Sequence, residues 1–173
     1  TLNAVGAGTG RQPCILGEPN TTISIAGGTV LAHSGVTGGN GITAGKLVVS
    51  GGTVEALSQS SGSAAITASK SITISGSIAA KGSKFVAGIG SDHYGSCGSI
   101  TISGGIVNAH GGDLSAAIGC SVGDSCGEIK ISGGTINAVG GPGTYGAGRV
   151  AAITSSVKAP VITGGTVKCN EAV

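Results

Sequence analysis

Seven carboxylates, three histidines, two arginines and five cysteines are the side chains of this 173-residue chain that could carry bond-making chemistry. Glycosidic hydrolysis needs two carboxyls converging across the scissile bond. Glu18, Glu55, Asp92, Asp113, Asp124, Glu128 and Glu171 offer no such pair. Asp92 and Asp124 fall in loops of neighbouring repeats, Asp113 falls in a different loop, and no outward strand position carries acids in consecutive repeats. Arg11 and Arg149 lie at opposite ends of the repeat array. These acids read as solvated loop carboxylates. His33 and His110 occupy one repeat position three repeats apart, too far to share an ion. His93, in the loop Asp92-His93-Tyr94, is expected near Asp124, and two ligands are too few for a metal site. The nonapeptide pattern of calcium-binding β-rolls is missing. The expectation is a protein that is not an enzyme, with no metal and no cofactor.

The cysteines carry more information. Cys97 and Cys126 each stand in Ser-Cys-Gly ahead of the same kind of run, one repeat apart. Stacked strands bring such residues close to the Cα separation that a disulfide accepts. Cys120 and Cys126 instead bracket a short loop that a bridge would staple. One disulfide among Cys97, Cys120 and Cys126 is expected, with Cys120–Cys126 preferred because it closes a loop without straining two strands. Five is an odd number, so at least one thiol is free or pairs outside the chain. Cys169 takes an inward position that other repeats fill with Ala, and Cys14 an Ala/Gly position. Five cysteines in a small, lysine-poor chain lean towards an oxidising compartment. Asn20-Thr21-Thr22 is a glycosylation sequon consistent with secretion. Thr1 is no initiator Met, so the chain reads as a processed product or an excised fragment.

The elements that hold these side chains are legible in the stretch 98–134. It runs Ile-Thr-Ile-Ser-Gly-Gly, then Ile-Val-Asn-Ala, then Ala-Ala-Ile-Gly, and then begins again. Each phrase alternates apolar and polar residues and ends in small turn residues, the pattern of a short strand. The glycine closing the first phrase recurs at Gly27, Gly51, Gly76, Gly104, Gly133 and Gly164, at steps that lengthen from 24 to 31 residues. A period of this size means stacked repeats. Drifting length with constant phrases means fixed strands and elastic loops, which excludes collagen and coiled coils. A propeller blade needs longer antiparallel strands over ~40 residues. The fold expected is an all-β, right-handed parallel β-helix of three short strands per turn and about six turns, one domain over 1–173.

Composition agrees. Gly is 36 of 173 residues, aromatics are 2 % and Met and Trp are absent, so the core must be stacked Ile, Val, Leu and Ala. The first phrase points Leu47 and Val49, Ile72 and Ile74, Ile100 and Ile102, Ile129 and Ile131 inward. The second points in Val30, Val54, Ile78, Val107, Ile136 and Val167; the third, Ile15, Ile42, Ile66, Ile89, Ile118 and Ile153. Gly-Gly supplies the positive-φ corners. A net charge of +2 with 9 % charged residues is too weak to propose nucleic acid as a partner. No apolar run approaches the ~18 residues of a spanning helix, so membrane insertion is not expected.

Phrases such as ITISGGIVNAHGG followed by AAIG, or by AGIG at 87–90, resemble the glycine-rich repeats of bacterial and protist surface proteins. They are also similar to carbohydrate-binding members of the pectate-lyase-like β-helix superfamily. The resemblance spans nearly the whole chain and implies the parallel β-helix fold, with adhesion or glycan binding at a surface. It transfers no functional residue, because it rests on core phrases. A polysaccharide lyase of this shape would bring clustered Asp for Ca²⁺ and a basic residue, and the acids and arginines here match neither.

The surface expected to carry function is the third phrase, whose outward positions are read as Cys14 and Leu16, Gly41 and Thr43, Ala65 and Thr67, Gly88 and Gly90, Ala117 and Gly119, Ala152 and Thr154. None is charged or long, so this wall is expected to be flat, small-residued and weakly polar. It would suit a polysaccharide, a host surface, flanking repeats or another copy of the chain. The leading expectation is a non-catalytic structural or adhesive module outside the cell or on its surface. A carbohydrate-binding module and an ice-binding protein are the rivals; Tyr94 and Tyr145 are the loop aromatics that would favour the first.

Overall fold

In the computed structural model, residues 2–6, 12–121, 123–143 and 150–171 are described; Arg11, Tyr145 and Arg149 lie outside them. The chain coils as an all-β parallel solenoid. Second phrases form a seven-stranded sheet from Leu2–Gly6, Thr29–Ser34, Thr53–Leu57, Ser77–Lys81, Ile106–His110, Thr135–Gly140 and Thr166–Glu171. Third and first phrases together form a ten-stranded sheet, in which about five turns separate the first and last strands. Every pairing is parallel and keeps the phrases in register, for example Ile72↔Ile100↔Ile129 and Ile78↔Val107↔Ile136.

The division into three strands per turn holds where the chain has residues to spare. In two turns the third and first phrases run on as single strands, Ile42–Val49 and Ile66–Ile74. Only two to four residues link the phrases there, too few for a loop, and a bulge between Ala44 and Lys46 absorbs the mismatch. In the next two turns longer linkers leave the wall and return through a two-stranded sheet, Ser96–Cys97 beside Ser125–Cys126.

The core is the expected set of ladders. Leu47, Ile72, Ile74, Ile100, Ile102 and Ile129 are 0 % exposed, as are Ile42, Ile66, Ile89 and Ile118. Each such isoleucine contributes roughly 1.5–3 kcal/mol of burial. The second wall alternates Val or Ile with Ala, since Ala32, Ala56, Ala80, Ala109 and Ala138 are also buried. Burial fades at the terminal rungs: Ile15, Ile153 and Val167 are half-buried, while Leu2, Ile162 and Cys169 are exposed. Cys169 does take the column of Ala138, yet it is exposed. Gly28, Gly52, Gly105, Gly134 and Gly165 make the expected left-handed corners between first and second walls.

Candidate functional site

The face expected on the third wall is not an open plane. Ala65 and Ala117 are 0 % exposed, Ala152 is 7 %, and Gly41 and Gly88 are buried with them. A Cβ on Gly41 would stand 2.7 Å from the Ala32 carbonyl and 3.3 Å from the Ala56 methyl, both on the second wall. This column therefore turns into the solenoid at the corner where the second wall gives way to the third. Strict alternation fails there because a bending chain buries consecutive residues in the core, as it does Ala65 and Ile66. The other half of the face is the column Thr43, Thr67, Gly90, Gly119 and Thr154, which is buried or half-buried under loops. Thr43 and Thr67 floor a pocket of about 240 Å³, between Gly17 and Pro19 on one side and Asp92 and Ser96 on the other.

Those loops are pinned by the acids. Asp92 accepts hydrogen bonds from the Ala64 amide (2.7 Å) and from Asn40 Nδ2 (3.2 Å). Burial raises its pKa above the ordinary aspartate value; the two donors oppose that shift and nearby Asp124 adds to it. Asp124 Oδ2 accepts from Ser91 Oγ at 3.1 Å, so this acid holds its neighbouring turn. Glu128 bridges Lys158 (2.7 Å) and Lys130 (3.0 Å), and both cations lower its pKa. Glu55 pairs with His33 at 2.9 Å. His33, Leu57, Lys81 and His110 share one outward column, which separates the two histidines as the spacing requires. Among the described residues, no group of three or more His, Cys, Asp or Glu side chains is placed to hold a metal ion.

All five cysteines are free thiols, so the expected bridge is not closed. The three candidates nevertheless gather. Cys97 and Cys126 are register partners, and the Cys126 and Cys120 thiols both reach the Thr154 carbonyl, at 3.3 and 3.8 Å. The Cys126 thiol hydrogen-bonds Cys120, which holds Cys120 below the ordinary thiol range and pushes Cys126 above it. Burial pushes Cys97 up to about 12. Cys120 lines a pocket of about 230 Å³ with Ser121, Asp124, Thr154, Ser155 and Ser156.

Phe85 and Tyr94 gather at another corner around His93. His93 does not simply face Asp124. Its ring sits between Phe85 (centroids 5.4 Å apart) and Tyr94 (4.0 Å), and its Nδ1 is buried without a hydrogen-bond partner. Tyr94 is 83 % exposed and was legible as a loop aromatic; Phe85 carried no sequence signal beyond its rarity.

No curated protein and no solved structure matches the chain. A family model for a beta helix repeat matches residues 100–122 and 129–153, two successive turns that start on the register partners Ile100 and Ile129.

Proposed function

We propose that this chain is a non-catalytic structural or adhesive module acting outside the cell or on its surface. The observation that supports it best is the register of the two walls, kept through loops of changing length with one bulge between Ala44 and Lys46. Such a body is a stiff support whose loops and outward columns can vary without disturbing the core. The carboxylates fit that reading, because Asp92, Asp124, Glu128 and Glu55 each hold a neighbouring side chain or loop. Its partners are a polysaccharide or host surface, with flanking repeats or a second copy meeting the exposed end rungs.

Beads carrying the purified chain, passed over mucin-coated and polysaccharide-coated surfaces, test this. Retention above that of uncoated beads is expected, with no new reducing ends or unsaturated sugars in the supernatant. Free flow over every surface overturns the adhesive reading, and steady product release overturns the non-catalytic one.

A further inference from the structure

Among the described residues, three other than glycine adopt left-handed backbone: Phe85 (φ 65°), Tyr94 (φ 56°) and Leu114 (φ 59°). All three line one pocket of about 360 Å³, with His93 and Ser121. The repeat itself shows what these positions demand. Ile66, Ile89 and Ile118 are register partners, so the residues four before them, Gly62, Phe85 and Leu114, occupy one corner in successive turns. Gly62 is left-handed too, at φ 87°. Cys97 pairs with Cys126, so three residues earlier Tyr94 corresponds to Gly123, again at φ 87°. Both corners thus require a conformation that glycine adopts freely and that brings an L side chain against its own carbonyl. At three such places this stretch carries a large ring or a leucine instead. Strain held against the local preference gathers at ligand sites.

We propose that this corner pocket binds a neutral pyranose ring of a glycan, stacked on Tyr94. Phe85, His93 and Tyr94 form a pile of rings tilted by 31° and 41°, which backs the exposed Tyr94 ring and fixes its plane. Leu114 closes the apolar side, and among the described residues no charged side chain lines the pocket. A charged ligand would find no counter-charge among those lining residues, and a wholly apolar one would leave polar His93 and Ser121 unmatched. A pyranose offers an apolar C–H face to the ring and hydroxyls to the rim. The volume falls at the small end of the ~300–1,000 Å³ range of ligand pockets, enough for one or two sugar rings. The site deepens the adhesive reading by naming its ligand, and rests on it only for where that glycan is met.

The test titrates the whole chain with neutral gluco-, galacto- and manno-oligosaccharides, following the Tyr94 ring resonances by NMR and the heat of binding. At least one of these sugars should shift the Tyr94 signals and bind. Tyr94→Gly, which installs the residue that the next turn has, should weaken it at least tenfold with no loss of melting temperature. Tyr94→Phe, which keeps the platform, should stay within about threefold. The proposal is overturned if no neutral oligosaccharide binds, if Tyr94→Gly binds as well as the parent, or if indole binds where every pyranose fails. Bead retention is scored separately. Its absence with oligosaccharide binding intact sinks the adhesive reading and leaves the pocket standing.

Discussion

Replacing Ile118 with Ala measures how tightly the ladders hold. Ile118 is 0 % exposed and stacked between Ile89 and Ile153, its register partners in the turns on either side. The substitution removes three carbons, about 2.4 kcal/mol at ~0.8 kcal/mol per buried carbon. The neighbouring strands are held by backbone hydrogen bonds at ~4.8 Å, so they cannot close on the gap. The cavity cost therefore adds in full and carries the loss to about 3–4 kcal/mol, inside the ~2–5 kcal/mol span of such changes. Ile153→Ala is the control: the same atoms in the same column, on a half-buried terminal rung. It should cost about 1 kcal/mol, since less area is lost and solvent fills the space. Urea unfolding followed by far-UV circular dichroism gives both values from one set of curves. Equal losses, or a cost below about 1 kcal/mol at Ile118, would show that the ladders are not the source of stability.

Ala117→Lys should also unfold or gravely destabilise the chain, by at least about 3 kcal/mol, because it forces length and charge into a fully buried corner; a thermal melt unchanged from the parent refutes the inward placement of that column. The raised pKa of Asp92 fixes the sign of a pH effect. The folded state takes up this proton before the unfolded state does, so the Asp92 contribution makes the chain more stable as pH falls from above the raised value towards 3.8, the unfolded value. Subtracting the Asp92→Asn stability profile from that of the parent should show this slope, and a difference that falls with acid overturns it. Iodoacetamide at neutral pH should label Cys120 before Cys97 and Cys126 when peptides are mapped by mass, because its thiolate is favoured by the Cys126 hydrogen bond and it lines a pocket. Mild oxidation should close Cys120–Cys126, and a Cys97–Cys126 product instead would show that register outweighs the contact between the thiols.

The fold was readable because its information is periodic. Ile100 and Ile102 repeat as Ile129 and Ile131, and side-chain alternation in a straight strand leaves one way to bury them. The third-phrase face was misread for the same reason. Alternation was carried from Ile118 back to Ala117, across the bend where it no longer applies. A signal was present in the residues themselves: Gly or Ala at 41, 65, 88, 117 and 152 is what a column with no room for more looks like. Tyr94 was legible as a loop aromatic, but the pocket around it was not. Phe85 and Leu114 stand, one and two turns on, where Gly62 stands, and the meaning of that exchange depends on backbone angles that composition does not reveal.

The two walls keep step although successive turns differ in length, and this makes each corner an independent address. Register is set by strand partners a whole turn away, so residues inserted at 92–95 or 121–125 change neither Ile89↔Ile118 nor Ile100↔Ile129. Closing a longer loop costs only about 0.6 kcal/mol for each doubling of its length. A corner can therefore be lengthened, exchanged or decorated while its neighbours are left as they were. The same backbone can carry a different set of contacts at every turn, as the Gly62, Phe85 and Leu114 corners already do.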